Sequence, residues 1–190
     1  MNLAAIAAEN KILVIGDSLS AGYGVSNEQN WVSLLQRRLT ENGYPHRVIN
    51  ASVSGDTTAQ GLAKLPAALD RHQPSIVVIE LGGNDGLRAL AVDMIRHNLA
   101  QMIQLATKHE AKVLLVGTKI PPNYGPVYVS AFEAIYDELA KKFQLRLVPF
   151  LMQGVATDPA LMQEDGIHPN AVGQRQMLEN VWPEILGLLN

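Results

Sequence analysis

Cysteine is absent from the 190 residues, which removes disulfides, thiol nucleophiles and cysteine-ligated zinc or iron–sulfur centres while leaving the compartment open. Long apolar runs are missing too. No stretch approaches the ~18 uninterrupted apolar residues that a membrane-spanning helix needs, so no integral membrane segment is expected. Nor is there an excess of positive charge: 15 Lys+Arg stand against 18 Asp+Glu, a formal net charge of -3. With both signs scattered along the chain, that balance argues against a nucleic-acid backbone as a main partner. A hydrophobic content of 47% with 17% charged residues is that of a folded globule, and its length suits one domain over residues 1–190. Residues 1–10 are small and apolar, too short and too uncharged for a whole signal peptide. They read either as the remnant of a leader around a cleavage site or as a native terminus that frays.

Apolar runs of strand length alternate with longer segments of helical period, which predicts strand–helix units and a mainly parallel sheet. Residues 11–16 (KILVIG) form the first strand; 31–42 read as a helix stopped by Gly43 and Pro45. Residues 47–50 are the second strand, and 57–71 are helical, with Leu62, Leu65 and Leu69 on one side. Residues 75–81 (SIVVIEL) are the most apolar strand and are expected at the centre. One apolar stripe from Leu87 to Ala106 predicts a single long helix over 87–109. Residues 112–117 are strand four, the loop from Pro121 to Pro126 leads to a helical segment over 127–143, and 145–149 are a short fifth strand. Asn170 is the expected N-cap of a last helix to about Leu189, with Pro183 implying a kink or break. Five strands with intervening helices predict a three-layer, flavodoxin-like α/β sandwich, whose ligands sit beyond the carboxyl ends of the strands.

Those ends carry the chemistry. Gly16-Asp17-Ser18-Leu19-Ser20 follows strand one, Ser52-Val53-Ser54-Gly55-Asp56 strand two, Gly82-Gly83-Asn84-Asp85 strand three, and Asp165-Gly166-Ile167-His168-Pro169 lies beyond strand five. Together they offer a hydroxyl nucleophile, a backbone N–H, an amide donor and a histidine with a carboxylate three residues before it. Acyl transfer needs those parts. In that reading His168 accepts the Ser18 proton, Asp165 holds the other ring nitrogen, and the Ser18 and Gly55 N–H groups with the Asn84 amide form the oxyanion hole. Each donor is worth about 3 kcal/mol in the transition state. Gly55 is assigned there because a side chain would block close approach.

These four blocks resemble the SGNH hydrolases, the GDSL esterases and lipases. Gly16-Asp17-Ser18-Leu19 matches the family's first block, Gly55 its glycine, Gly82 to Asp85 its G-x-N-D, and Asp165 to His168 its D-x-x-H. Beyond them, NASVSGDT at 50–57, LGGNDGLR at 81–88, the Pro-Asn-Tyr-Gly run at 122–125 and DGIHPN at 165–170 resemble the bacterial thioesterase I, lysophospholipase and arylesterase subgroup. The resemblance implies a periplasmic or secreted serine hydrolase of small-molecule acyl esters and thioesters, without cofactor. It also implies that the loop after Asn84 and the loop around 123–128 line the substrate cleft. A cytoplasmic location stays open.

Other readings use the same residues. Ser18 alone is also a helix N-cap, Asn84 and Asp85 are also turn formers, and His46, His72, His97 and His109 read as structural. A flavodoxin-like module holding a small anion on Ser18, Gly55 and Asn84 is a non-catalytic alternative. Asp17, Asp56 and Asp85 with Asp165 and His168 suggest a metal-dependent hydrolase, less favoured because acidic residues at strand ends cap helices and the serine route needs no ion. Gly22-Tyr23-Gly24 is no dinucleotide fingerprint, as Asn27 stands at the third glycine. No G-x-S-x-G occurs, which excludes an α/β-hydrolase elbow. Leu87, Leu90, Ile120, Pro121, Tyr124 and Met152 are the candidates for an apolar acyl groove, with ordinary core as the alternative. A monomer or weak oligomer is expected.

Overall fold

The computed structural model describes residues 10–189, so the reading of residues 1–10 as a leader remnant falls, apart from Asn10, outside the described residues. Five strands, β1 (Lys11–Gly16), β2 (Arg47–Asn50), β3 (Ile76–Glu80), β4 (Lys112–Val116) and β5 (Arg146–Val148), form one sheet in the order β2-β1-β3-β4-β5. Every neighbouring pair is parallel. The sequence predicts a mainly parallel sheet; the structure makes it wholly so.

Strand β3 is buried at every position, as befits a central strand covered on both faces. Alternation within β1 and β3 divides the interior. Leu13, Ile15, Val77 and Ile79 face a core completed by Leu65 and Leu69 of α3 (Thr58–His72), Leu99 and Met102 of α5 (Val92–Lys108), and Phe132 and Ile135 of α6 (Pro126–Phe143). Ile12, Val14, Ile76 and Val78 face the other core, with Trp31, Leu35 and Leu39 of α2 (Trp31–Glu41) and Met177, Leu178 and Val181 of α7 (Ala171–Leu186). The result is the expected three-layer α/β sandwich.

Two helix expectations are corrected. The apolar stripe from Leu87 belongs to two helices, α4 (Gly83–Leu87) and α5, separated by residues 88–91. Ala89, at φ 50, turns the chain there, and Leu90 N–H bonds back to Asp85 O at 3.0 Å. Apolar spacing runs on because Leu90, Ile95 and Leu99 all pack against the same core. Helix α7 continues through Pro183 without a break; the ring costs one hydrogen bond, and Met177, Leu178, Val181 and Ile185 keep the helix seated on the core. The short α1 (Ser18–Ala21) has no apolar pattern to announce it, and its N-cap is Asp17, not Ser18, which corrects the alternative reading of Ser18 as a cap.

Candidate active site

At the end of β1 the chain turns sharply into α1, with Asp17 as N-cap accepting from Leu19 N–H at 3.0 Å. Gly16 is required by contact: a Cβ there would stand 2.7 Å from Glu80 Oε2 and 2.8 Å from Ser20 Oγ. Ser18 therefore begins a helix directly beyond the sheet edge. Asn50, at the end of β2, ties the second loop to this turn by donating to Ser20 O at 2.7 Å.

The candidate base, His168, arrives from far along the chain. After β5 the chain turns through residues 149–170, and a single antiparallel bridge, Met162 to Pro169, folds it back. Asn170 pins the return. Its Nδ2 donates to Ala160 O and Met162 O, while its Oδ1 caps α7 at Val172 and Gly173. Asp165 Oδ1 accepts the N–H groups of Ile167 and His168, each at 2.9 Å, and Oδ2 meets His168 Nδ1 at 2.7 Å. The other imidazole nitrogen, Nε2, lies 3.0 Å from Ser18 Oγ. The backbone N–H and side chain of His168, with the N–H of Ile167, hold the Asp165 carboxyl down at about 2. It is thus ionised throughout the neutral range, as a partner for an imidazolium must be.

The three oxyanion candidates are differently disposed. No hydrogen bond to the N–H of Ser18 or of Gly55 is found among the described residues. Gly55 sits at φ 86, and a Cβ there would meet nothing within 4 Å. Its left-handed backbone is one that glycine adopts without strain, and the space in front of it is open. Asn84 reaches the same rim from the start of α4, yet its Nδ2 is directed to Asp17 Oδ2 at 3.1 Å and to Asp56 O at 3.0 Å.

Behind Ser18 lies a layer of buried acids. Glu80 Oε2 accepts from Ser20 Oγ at 2.7 Å and from Asp17 N–H at 3.4 Å. Burial first, and the Asp17 charge second, push the Glu80 carboxyl well above its usual range. Burial likewise raises Asp17 to about 6. Asp85 is bonded by Thr58 Oγ1 and N–H, and Asp56 by Lys64. These acids brace loops, and among the described residues no group of three or more His, Asp or Glu is arranged to hold a metal ion. His46, His72 and His109 precede strands at the opposite edge of the sheet, and His97 is exposed on α5.

The groove candidates separate. Leu87 is exposed and Tyr124 half-buried, joined by the Tyr124 hydroxyl donating to Leu87 O at 2.7 Å; Tyr128 likewise reaches Leu90 O. Pro121 is exposed and Leu90 half-buried against the core. Ile120 is buried in the core beside Phe132, and Met152 packs against the core on the other side of the sheet; their apolar character serves the interior. Sequence reasoning missed Tyr23, whose ring lies 4.4 Å from that of His168, and Gln163, which donates to Tyr23 O and Pro169 O. Glu80 was visible as the one charge in an apolar strand and went unused.

Residues 14–176 match the model of the GDSL-like lipase/acylhydrolase family. The chain is 52% identical over 183 residues to "Esterase TesA" of Pseudomonas aeruginosa, covering 96% of this chain and 91% of that one. It is 44% identical over 184 residues to "Thioesterase 1/protease 1/lysophospholipase L1" of Escherichia coli K12, covering 97% and 87%. Among solved structures, a psychrotrophic esterase EstA from Pseudoalteromonas, inhibited by monoethylphosphonate, is similar with a TM-score of 0.91 at 37% identity, covering 95% of this chain and 99% of that one. Fold, sequence and relatives agree: the chain belongs to the GDSL-like lipase/acylhydrolase family, the SGNH hydrolases, and is an ester and thioester hydrolase.

Proposed function

We propose that hydrolysis runs through an acyl-enzyme on Ser18, with His168 as general base and then acid, and Asp165 as its orienting carboxylate. The observation that carries this is the continuous line Asp165 Oδ2, His168 Nδ1, His168 Nε2, Ser18 Oγ, with separations of 2.7 and 3.0 Å. Ser18 Oγ attacks the carbonyl carbon of the ester or thioester while Nε2 takes its proton. The oxyanion that forms is met by the N–H groups of Ser18 and Gly55 and by the Asn84 amide. Collapse expels the alcohol or thiol, which receives the proton from His168, and water then cleaves the acyl-Ser18 ester by the same exchange. Leu87, Leu90, Pro121 and Tyr124 give one side of the rim an apolar lining suited to an acyl chain.

Substrates in the range of aryl esters, acyl thioesters and lysophospholipids follow from the names borne by the relatives. A periplasmic or secreted, monomeric or weakly associating enzyme is the setting we infer; among the described residues no helix is long and apolar enough to cross a membrane. An anion-binding module would have no use for an imidazole oriented by a carboxylate. A phosphonate inhibits one solved relative, so the direct test is a fluorophosphonate probe. It is expected to label wild-type protein at Ser18 and to leave Ser18→Ala unlabelled. Labelling that survives in Ser18→Ala, or none in the wild type, would end this reading.

A further inference from the structure

Two groups outside the catalytic blocks join the turn that carries the nucleophile to the loop that carries the base. The carbonyl of Ser18 accepts the N–H of Tyr23 at 3.1 Å. The carbonyl of Tyr23 in turn accepts Gln163 Nε2 at 2.7 Å. The same Nε2 gives its second hydrogen to Pro169 O at 3.0 Å, and Gln163 N–H donates to His168 O at 2.8 Å. Gln163 thereby holds main-chain groups on both sides of the Ser18–His168 bond. Its seat is made by Gly24, where a Cβ would lie 2.0 Å from Gln163 Oε1.

The ring of Tyr23 completes the arrangement. It lies with its centroid 4.4 Å from that of His168, tilted by 39°, although Tyr23 itself is 53% exposed. An exposed aromatic gains little from burial, so the hydrophobic effect alone does not explain this contact. When His168 takes the Ser18 proton its ring becomes a cation, and an aromatic ring at that distance attracts one.

We propose that Gln163 and Tyr23 are positioning residues for acyl transfer. Gln163 fixes the distance between the nucleophile's turn and the base's loop, and the Tyr23 ring limits rotation of the imidazole and favours its charged form. This rests on the Ser18 reading above. It assigns a role to the Gly22-Tyr23-Gly24 turn and to the residue two before Asp165, neither of which belongs to the four blocks.

The test is steady-state turnover of p-nitrophenyl butyrate together with the second-order rate of fluorophosphonate labelling, in wild type, Gln163→Leu, Tyr23→Leu and Tyr23→Phe. Small misplacements of a reacting pair cost up to about 100-fold, so Gln163→Leu is expected to lower kcat and the labelling rate together by ~10- to 100-fold, with KM within about twofold. Tyr23→Leu is expected to lower both by roughly 5-fold without changing Tm, and Tyr23→Phe to recover most of that loss. A merely structural role would move Tm and leave the kcat of folded protein alone. Equal losses in Tyr23→Leu and Tyr23→Phe, or losses confined to KM, would overturn the proposal. Should Gln163→Leu fail to fold, Gln163→Glu, which keeps the side-chain length but not the two donated hydrogens, is expected to show the same fall in kcat, and wild-type kcat in it would overturn the role of Gln163; the Tyr23 pair, on the surface, tests the ring. If wild type is neither labelled nor active, the Ser18 reading fails; if wild type is active and these variants match it, only the positioning roles fail.

Discussion

The side-chain amide of Asn84 has two hydrogens, and in the resting site they go to Asp17 Oδ2 at 3.1 Å and Asp56 O at 3.0 Å. To stabilise an oxyanion the amide must share one of these bonds with the substrate, so a single residue links the buried acid to the reacting carbonyl. Asn84→Ala is expected to reduce kcat by about 100-fold or more through loss of that donor. It should also lower stability by ~1–3 kcal/mol, because buried Asp17 loses a partner. Turnover of aryl esters and a urea midpoint measure the two effects separately, and near-normal turnover would remove Asn84 from the oxyanion hole. Ser18→Ala and His168→Ala are expected to lower turnover by roughly 10³-fold or more while leaving Tm near wild type. Asp165→Asn tests the third member. It keeps the shape but removes the charge held at about 2, and a loss of only a few fold would show that the imidazole needs no carboxylate.

Among the elements, strands were the most legible, since β1 and β3 are covered on both faces and read as unbroken apolar runs. Helices were less so. The stripe from Leu87 to Ala106 crosses two helices because a period of 3.6 records which core the side chains face, not whether the backbone turns between them, and Ala89 at φ 50 bears no turn residue to announce it. The four blocks that form the candidate site were legible by residue type and position after strands. Gln163 was not, because it works through carbonyl oxygens, which every residue has. Ile120 misled for the reverse reason: an apolar residue beside a site and one in the core are the same letter. The tyrosine bonds Tyr124 to Leu87 O and Tyr128 to Leu90 O join the α4–α5 turn to the 122–128 segment, which no spacing foretold. Tyr124→Phe is expected to loosen that turn and raise the ratio of kcat/KM for dodecanoyl over butyryl esters by up to about fivefold, the equivalent of one ~1 kcal/mol hydrogen bond. An unchanged ratio would separate the turn from acyl-chain selection.

At the scale of the whole molecule, stability and catalysis meet in the paired acids under the sheet edge. Asp17 and Glu80 are 3% and 2% exposed, and no lysine or arginine is paired with either among the described residues. Burial raises Asp17 to about 6, with Asp56 and Asp85 adding to the rise and the Leu19 N–H and His168 opposing it. Glu80 is raised further above its usual range by burial and by Asp17. A carboxyl whose folded pKa exceeds its unfolded one binds more protons when folded, so its contribution is complete below the unfolded value and disappears as pH rises through the folded one. Tm should therefore fall between pH 5 and 8 from this pair, opposite to the trend set by Asp165 below pH 4, where its lowered pKa makes acid destabilising. Glu80→Gln keeps an oxygen for Ser20 Oγ and Asp17 N–H and makes the neutral form permanent. It is expected to raise Tm at pH 8 by about 2–4 °C for each kcal/mol recovered, and to change it little at pH 4.5. Thermal melts of the two proteins at pH 4.5 and pH 8 measure this; parallel pH profiles would mean that the pair holds no proton in the folded enzyme.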